Sequence, residues 1–143
     1  MSVLQHDIPG ATILDLFAGS GALGLEALSR GAAHVTFVER GPGALRALEQ
    51  NITMLEAGAD VTIVRTDALR YVSSLDASAF DVALADPPYA SGEAKRLVRA
   101  YDEVAFAGIL CVEHAARAEL GGPDTAMTRR YGDIAITFIT APQ

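Results

Sequence analysis

Half of the 143 residues are hydrophobic and a fifth are charged, the composition of an ordinary globular protein, and one domain with a sizeable core is expected to span residues 1–143. No apolar run is long enough to span a membrane, because Asp, Glu, Arg or Gly interrupts each one, and Met1 to Asp7 lacks the basic-then-apolar layout of a signal peptide. Eleven basic against eighteen acidic side chains leave a net charge of −7, which excludes the global basic footprint usual in proteins that grip a nucleic-acid backbone.

Apolar runs and amphipathic stretches alternate along the chain, without repeat, low-complexity segment or linker. Residues 11–17 (ATILDLF) read as a buried first strand. Residues 21–30 read as a helix, with Leu23, Ala27 and Leu28 on one face and Gly31 as its stop. His34 to Glu39 is a second strand, and Pro42 opens a helix to about Glu56 whose Leu45, Leu48, Ile52 and Leu55 share a face. Asp60 to Thr66 makes a third strand, Ala68 to Leu75 a short helix, and Phe80 to Ala85 a fourth strand. A helix from Gly92 to about Glu103 precedes a fifth strand within residues 104–113. Thr125 to Arg130 and Ile134 to Thr140 close the chain as a hairpin-like pair around Tyr131-Gly132-Asp133. Strands alternating with helices require a mostly parallel sheet covered on both faces, here with an antiparallel pair at its edge: a doubly wound α/β sandwich. Cys111 falls in the apolar run from Val104 to Val112 and reads as a reduced core thiol of a cytoplasmic protein. His6, His34 and His114 are scattered without metal-ligand spacing, so no metal site is expected.

Two segments carry the candidate chemistry. Strand one runs into Asp15-Leu16-Phe17-Ala18-Gly19-Ser20-Gly21-Ala22-Leu23-Gly24, in which Gly19, Gly21 and Gly24 match G-x-G-x-x-G between a strand and a helix. Glu39 ends strand two about twenty residues on. Glycines there let the backbone approach a ligand closely, and the acid accepts from ribose hydroxyls, so the motif as written fits a dinucleotide. Asp15 argues against one: a carboxylate just ahead of the glycines opposes a pyrophosphate and suits an ammonium group. S-adenosylmethionine has that ammonium, a sulfonium, a ribose for Glu39, and no phosphate. Asp67, after strand three, can accept from an adenine amino group or cap the next helix, and one side chain can do both. The other segment is Asp86-Pro87-Pro88-Tyr89, at the carboxyl end of strand four, the edge where open α/β sheets bind ligands. Two prolines stiffen the turn and contribute no N–H donors, which leaves carbonyl acceptors beside the Asp86 carboxylate. Such a turn suits an exocyclic amine, with Tyr89 as a flat face for a base; the same residues also make an ordinary strand-ending turn.

The string from Asp15 to Gly31, a strand ending in Glu39, and Asp86-Pro-Pro-Tyr89 together closely resemble the bacterial RsmD-like methyltransferases, which methylate the N2 amine of a guanine in 16S ribosomal RNA. The likeness runs from about Ala11 through Arg130-Tyr131-Gly132-Asp133. Its glycine string is specific, whereas Asp-Pro-Pro-Tyr is shared with other amino-methyltransferases. The resemblance implies the class I S-adenosylmethionine-dependent methyltransferase fold, a Rossmann-like α/β sheet, mostly parallel with an antiparallel last strand. It implies cofactor contacts from Asp15, Phe17, Ala18, Gly19, Gly21, Glu39, Arg40, Asp67 and Ala68, and a catalytic turn of Asp86, Pro87, Pro88 and Tyr89. The implied partner is 16S rRNA or a small-subunit assembly intermediate, met by a cytoplasmic monomer that uses neither metal nor membrane. Family members carry a basic Arg-Pro-Thr-x-Asp-x-x-Arg-Glu stretch before the first strand. Only ten residues precede Ala11 here and they hold no such arm, so these 143 residues are expected to bind RNA weakly, with a shallow salt dependence.

On this reading Asp86 and the Pro87 carbonyl accept the amine's hydrogens, orient its lone pair and stabilise the positive charge that grows on nitrogen. Tyr89 stacks on the base. Lys95, Arg96 and Arg99 either contact phosphates or form a solvated helix face. The same acceptors would serve an adenine N6 or a cytosine N4, and a non-catalytic cofactor-binding module is the alternative of a different class.

Overall fold

The chain adopts the alternation expected of it. In the computed structural model, which describes residues 2–89 and 92–142, the elements are β1 (Thr12–Leu16), α1 (Ala22–Ser29), β2 (His34–Val38), α2 (Pro42–Met54), β3 (Val61–Val64), α3 (Ala68–Val72), β4 (Phe80–Ala85), α4 (Glu93–Glu103), β5 (Ala107–Ala115), β6 (Met127–Tyr131) and β7 (Ile134–Thr140). The strands form one sheet in the order β3-β2-β1-β4-β5-β7-β6. Pairing is parallel from β3 across to β5, antiparallel between β5 and β7, and antiparallel again between β7 and β6. The order reverses between β1 and β4, so the connections leaving their carboxyl ends part and leave a crevice.

A strand turns alternate side chains to opposite faces, and both faces of this sheet are covered. Leu14 and Leu16 pack with Ala83, Ala85, Leu110 and Val112 against Val72 of α3 and Leu97, Val98 and Tyr101 of α4. Ile13, Val35, Phe37, Val82 and Leu84 pack the other way, against Leu25 of α1 and Leu48 and Ile52 of α2. Each large apolar side chain buried this way contributes about 1.5–3 kcal/mol. The alternation also decides where the strand-end carboxyls go. Asp15, two residues after Ile13 on β1, falls on the α1/α2 face, and so does Glu113, two after Cys111 on β5; Glu39 and Asp86 follow the last residues of β2 and β4, at the carboxyl edge.

Several boundaries differ from the expected ones, for local reasons. The first strand stops at Leu16 because Phe17 turns to φ 56°, leaving the extended region. The helix after Asp67 ends at Val72, where the hydroxyls of Ser73 and Ser74 donate to the carbonyls of Arg70 and Tyr71 and compete with further helical bonds. The fifth strand runs on to Ala115 because β7 keeps pairing with it as far as Ala115 opposite Ile134. Among the described residues no helix is long and apolar enough to cross a membrane.

Candidate active site

The crevice is built first by the glycine turn. A side chain on Gly21 would overlap Leu48, and one on Gly24 would lie 2.5 Å from Phe37 Cε1, so these two glycines let α1 settle against β2 and α2. Gly19, at φ 58°, would meet nothing within 4 Å among the described residues; this is the glycine whose backbone a ligand can approach. The turn closes with the Gly21 N–H donating to the Ala18 carbonyl at 2.9 Å.

Glu39 ties this turn to the next loop. Its Oε1 accepts from the Gly19 N–H at 2.8 Å, and its Oε2 accepts from the N–H groups of Arg40 and Gly41 at 3.0 and 2.7 Å. Asp67 caps α3, accepting from the Arg70 N–H at 3.0 Å, while its other oxygen lies 3.5 Å from the Arg40 guanidinium. Of the two roles read for Asp67, the capping one is therefore filled and leaves Oδ1 toward Arg40.

Phe17, Glu39, Arg40, Asp67 and Ala68 come together with Asp86, Pro88, Val38, Thr66 and Glu93 around a cleft of about 230 Å³. Ala18, Gly19 and Gly21 do not line it. Asp15 sits differently from the ligand-facing carboxylate expected: it is 1% exposed, lies outside the lining, and accepts from the Gly24 N–H at 3.0 Å beneath the turn. Burial pushes its carboxyl up to about 8, the Gly24 hydrogen bond holds it back in part, and the charges of Asp86 and Glu39 raise it further.

Asp86 stands at the end of β4, exposed on the cleft. Desolvation raises its carboxyl to about 7, and the neighbouring Glu113 carboxyl raises it further. The Tyr89 hydroxyl is raised by desolvation and by the neighbouring Glu113 and Asp86 carboxyls, while the residue stays 49% exposed. Glu113 was not among the expected site residues. Its signal was one acid near the end of an apolar strand, and only the pairing of Ala85 with Val112 sets it level with Asp86. Glu93, 9% exposed and on the cleft wall, was missed as well.

A second hollow, about 150 Å³, lies against the other side of the turn, where Pro87, Pro88 and Tyr89 meet Lys95, His114 and Glu119. Lys95 thus joins the turn, whereas Arg96 and Arg99 are exposed on α4 and belong to neither lining. His114 is tied into the sheet: Nδ1 donates to the Ala115 carbonyl at 2.9 Å and Nε2 bonds Thr137 Oγ1 at 2.7 Å. Cys111 is a partly buried thiol that burial raises to about 12.

The electrostatics suit one kind of ligand. Glu39, Asp67, Asp86 and Glu93 line the cleft against the single guanidinium of Arg40, so a cation is drawn in and a pyrophosphate is opposed. The donor set therefore fits the ammonium, sulfonium and ribose of S-adenosylmethionine better than a dinucleotide.

A family model described as "Conserved hypothetical protein 95" matches residues 1–140. The chain is 37% identical over 132 residues to "Putative rRNA methyltransferase YlbH" of Bacillus subtilis (strain 168), an alignment covering 86% of this chain and 72% of that protein. It is 39% identical over 85 residues to "Ribosomal RNA small subunit methyltransferase D" of Escherichia coli (strain K12), covering 59% of this chain and 42% of that protein. Among solved structures, the "putative methylase HI0767" of Haemophilus influenzae superposes with a TM-score of 0.83 at 27% identity, over 96% of this chain and 90% of that one. The match thus spans less than half the length of the Escherichia coli relative.

Proposed function

The chain belongs to the Conserved hypothetical protein 95 family of RsmD-like methyltransferases, and from that premise we propose that it moves a methyl group from S-adenosylmethionine to the N2 amine of a guanine in 16S rRNA. The observation that carries this reading is a carboxyl-lined cleft that opens directly onto the Asp86-Pro-Pro-Tyr turn. Glu39 and Asp67 hold the ribose and adenine ends of the donor, with Phe17, Arg40 and Ala68 as its walls. When bound, S-adenosylmethionine supplies a methyl already activated by sulfonium sulfur. The protein's part is then alignment and charge. Asp86 accepts the amine's hydrogen, directs its lone pair at the methyl carbon and stabilises the charge that builds on nitrogen as the C–N bond forms and the C–S bond breaks. Tyr89, exposed on the turn, stacks on the base, and Lys95, which shares the second hollow with it, meets the backbone. The substrate is naked 16S rRNA or an assembling small subunit.

The test is incorporation of labelled methyl from S-adenosylmethionine into 16S rRNA and into small-subunit particles, with nucleosides identified by mass spectrometry. N2-methylguanosine is the expected product. Label in N6-methyladenosine or N4-methylcytosine would keep the chemistry and overturn the base; binding of NAD with none of the methyl donor would overturn both.

A further inference from the structure

Beside the hollow that Tyr89 shares with Lys95 lies another, of about 220 Å³, where Thr128, Arg130 and Thr137 meet Gly121 and Gly122. The two are neighbours, since His114, Ala118, Glu119 and Leu120 line both. Register sets them on one face. Val112, Thr137 and Thr128 stand in one row across β5, β7 and β6, and residues directly opposite in a sheet share a face. Val112 packs toward α3 and α4, so Thr137 and Thr128 point to that side, as do His114 and Arg130, each two residues further on. From β4 to β6 is three strand spacings of about 4.8 Å, about 14 Å in all, so one extended strand of another molecule can touch both ends.

The chemistry of this face is the reverse of the cleft's. Its linings hold Lys95 and Arg130 against the single carboxylate of Glu119, and Arg117 is exposed in the segment between them; Asp124 and Asp133, in the flanking turns, belong to neither lining. The donor cleft holds Glu39, Asp67, Asp86 and Glu93 against Arg40 alone. A polyanion is therefore opposed on one side of the turn and drawn to the other. The floor is a directed chain of hydrogen bonds. A carbonyl can only accept, so the bond from His114 Nδ1 to the Ala115 carbonyl at 2.9 Å puts the ring's hydrogen on Nδ1. Nε2 of the neutral ring then accepts from the Thr137 hydroxyl at 2.7 Å. Thr137 Oγ1, its hydrogen already given, accepts from the Thr128 hydroxyl at 2.9 Å. Thr128 thus donates inward and keeps the lone pairs of an exposed oxygen for the hollow it lines.

We propose that this face is a track for single-stranded RNA: nucleotides flanking the target base run from Tyr89 over residues 117–120 to β6, with Lys95, Arg117 and Arg130 on phosphates and Thr128 Oγ1 accepting from a ribose 2′-hydroxyl, the group that DNA lacks. This rests on the function proposed above and deepens it, because it selects RNA over DNA. Three phosphate contacts at about 0.7 each give a log–log salt slope of about −2.

Fluorescence anisotropy with a labelled single-stranded RNA of about ten nucleotides, and with DNA of the same sequence, tests the track. RNA should bind more tightly than DNA at low salt. Lys95→Gln combined with Arg130→Gln should weaken RNA binding about tenfold and cut the salt slope to about −0.7, with calorimetric donor affinity unchanged. Arg46→Gln combined with Arg70→Gln removes the same charge from exposed positions on α2 and α3, outside both linings, and should cost about twofold or less. Equal losses from the two pairs would mean that net charge alone decides, and would overturn the track. Thr128→Val keeps the branched shape and should reduce the preference for RNA over DNA by about threefold or more, with Thr128→Ser recovering it; an unchanged preference in Thr128→Val sinks the hydroxyl's role. A wild type that binds neither strand, or binds DNA as well as RNA, also overturns the proposal. Methyl transfer separates this idea from the function it rests on. Turnover on 16S rRNA that is equal in wild type and in the Lys95, Arg130 double variant keeps the function and loses the track, whereas track-dependent RNA binding without any methyl transfer does the reverse.

Discussion

Strand β4 carries an aspartate near each end, and the fold treats the two in opposite ways. At the amino edge, Asp81 Oδ2 accepts from the N–H and the hydroxyl of Thr12 at 2.8 and 3.2 Å, and Thr12 Oγ1 accepts from the Asp81 N–H at 3.1 Å. At the carboxyl edge, Asp86 is exposed on the cleft, and its carboxyl is raised by desolvation and by the neighbouring Glu113. The same two strands, β1 and β4, lie at both places, and the residue type is the same. One edge answers a carboxylate with donors and locks the register; the other surrounds carboxylates with carboxylates and leaves the imbalance for a ligand. Size does not separate them. The amino edge has the larger hollow, about 490 Å³ against about 230 Å³ for the cleft. What marks the site is the chemistry left unbalanced there.

That contrast can be broken or sharpened. The strongest lever is Asp15, whose carboxyl is held at about 8 in the fold against an ordinary 3.8. The folded protein therefore binds more protons at this site than the unfolded chain between those values, so this carboxyl's contribution to stability is fully present below about 3.8 and is lost progressively as pH rises through about 8. Each pH unit within that window is worth up to about 1.4 kcal/mol. Asp15→Asn keeps an acceptor for the Gly24 N–H and removes the charge, so urea unfolding should show the slope between pH 4 and pH 8 flattened. An unchanged slope would mean the carboxyl edge is not charge-strained. Asp86→Ala should lower methyl transfer roughly 10²-fold or more while leaving calorimetric donor affinity and the urea midpoint near wild type; full turnover would erase the difference between the two edges.

Glu39 is the mixed case, a carboxylate on the functional edge already satisfied by three backbone donors. Glu39→Ala should cost about 1.5–3 kcal/mol in donor binding by calorimetry, and it should destabilise the turn as well. Asp81→Ala is the mirror of Asp86→Ala and the mildest of the set. We expect a loss of about 1 kcal/mol in urea unfolding with kcat unchanged. Reduced kcat there would show that the amino edge speaks to the site.

Much of this was legible from residues alone, because most of it is local. β4 and β7 run from Phe80 to Ala85 and from Ile134 to Thr140 as expected, since short, mostly apolar runs flanked by turn residues leave little choice. The glycine turn and Asp86 came from motifs contiguous in sequence. Asp15 was read for its charge, but its burial under Gly24 depends on α1 lying close to β2, which is a matter of packing between elements. Glu113 depends on the pairing of β4 with β5, and nothing within β5 alone distinguishes it from a solvated strand-end acid. Side chains that meet only through register are the ones a linear reading passes over.

The sheet ends in β6, whose five residues are all exposed and which pairs with β7 on one side. An open strand edge is a template for another strand, and here Met127 and Tyr131, both more than half exposed, add apolar surface to it. The middle of that edge is Arg129 followed by Arg130. If two copies met edge to edge in antiparallel register, each Arg129 would stand opposite the other, and like charges directly across a ladder repel. Like charges at the middle of the strand oppose that pairing, so replacing both arginines by neutral residues should raise self-association, as measured by light scattering at high protein concentration.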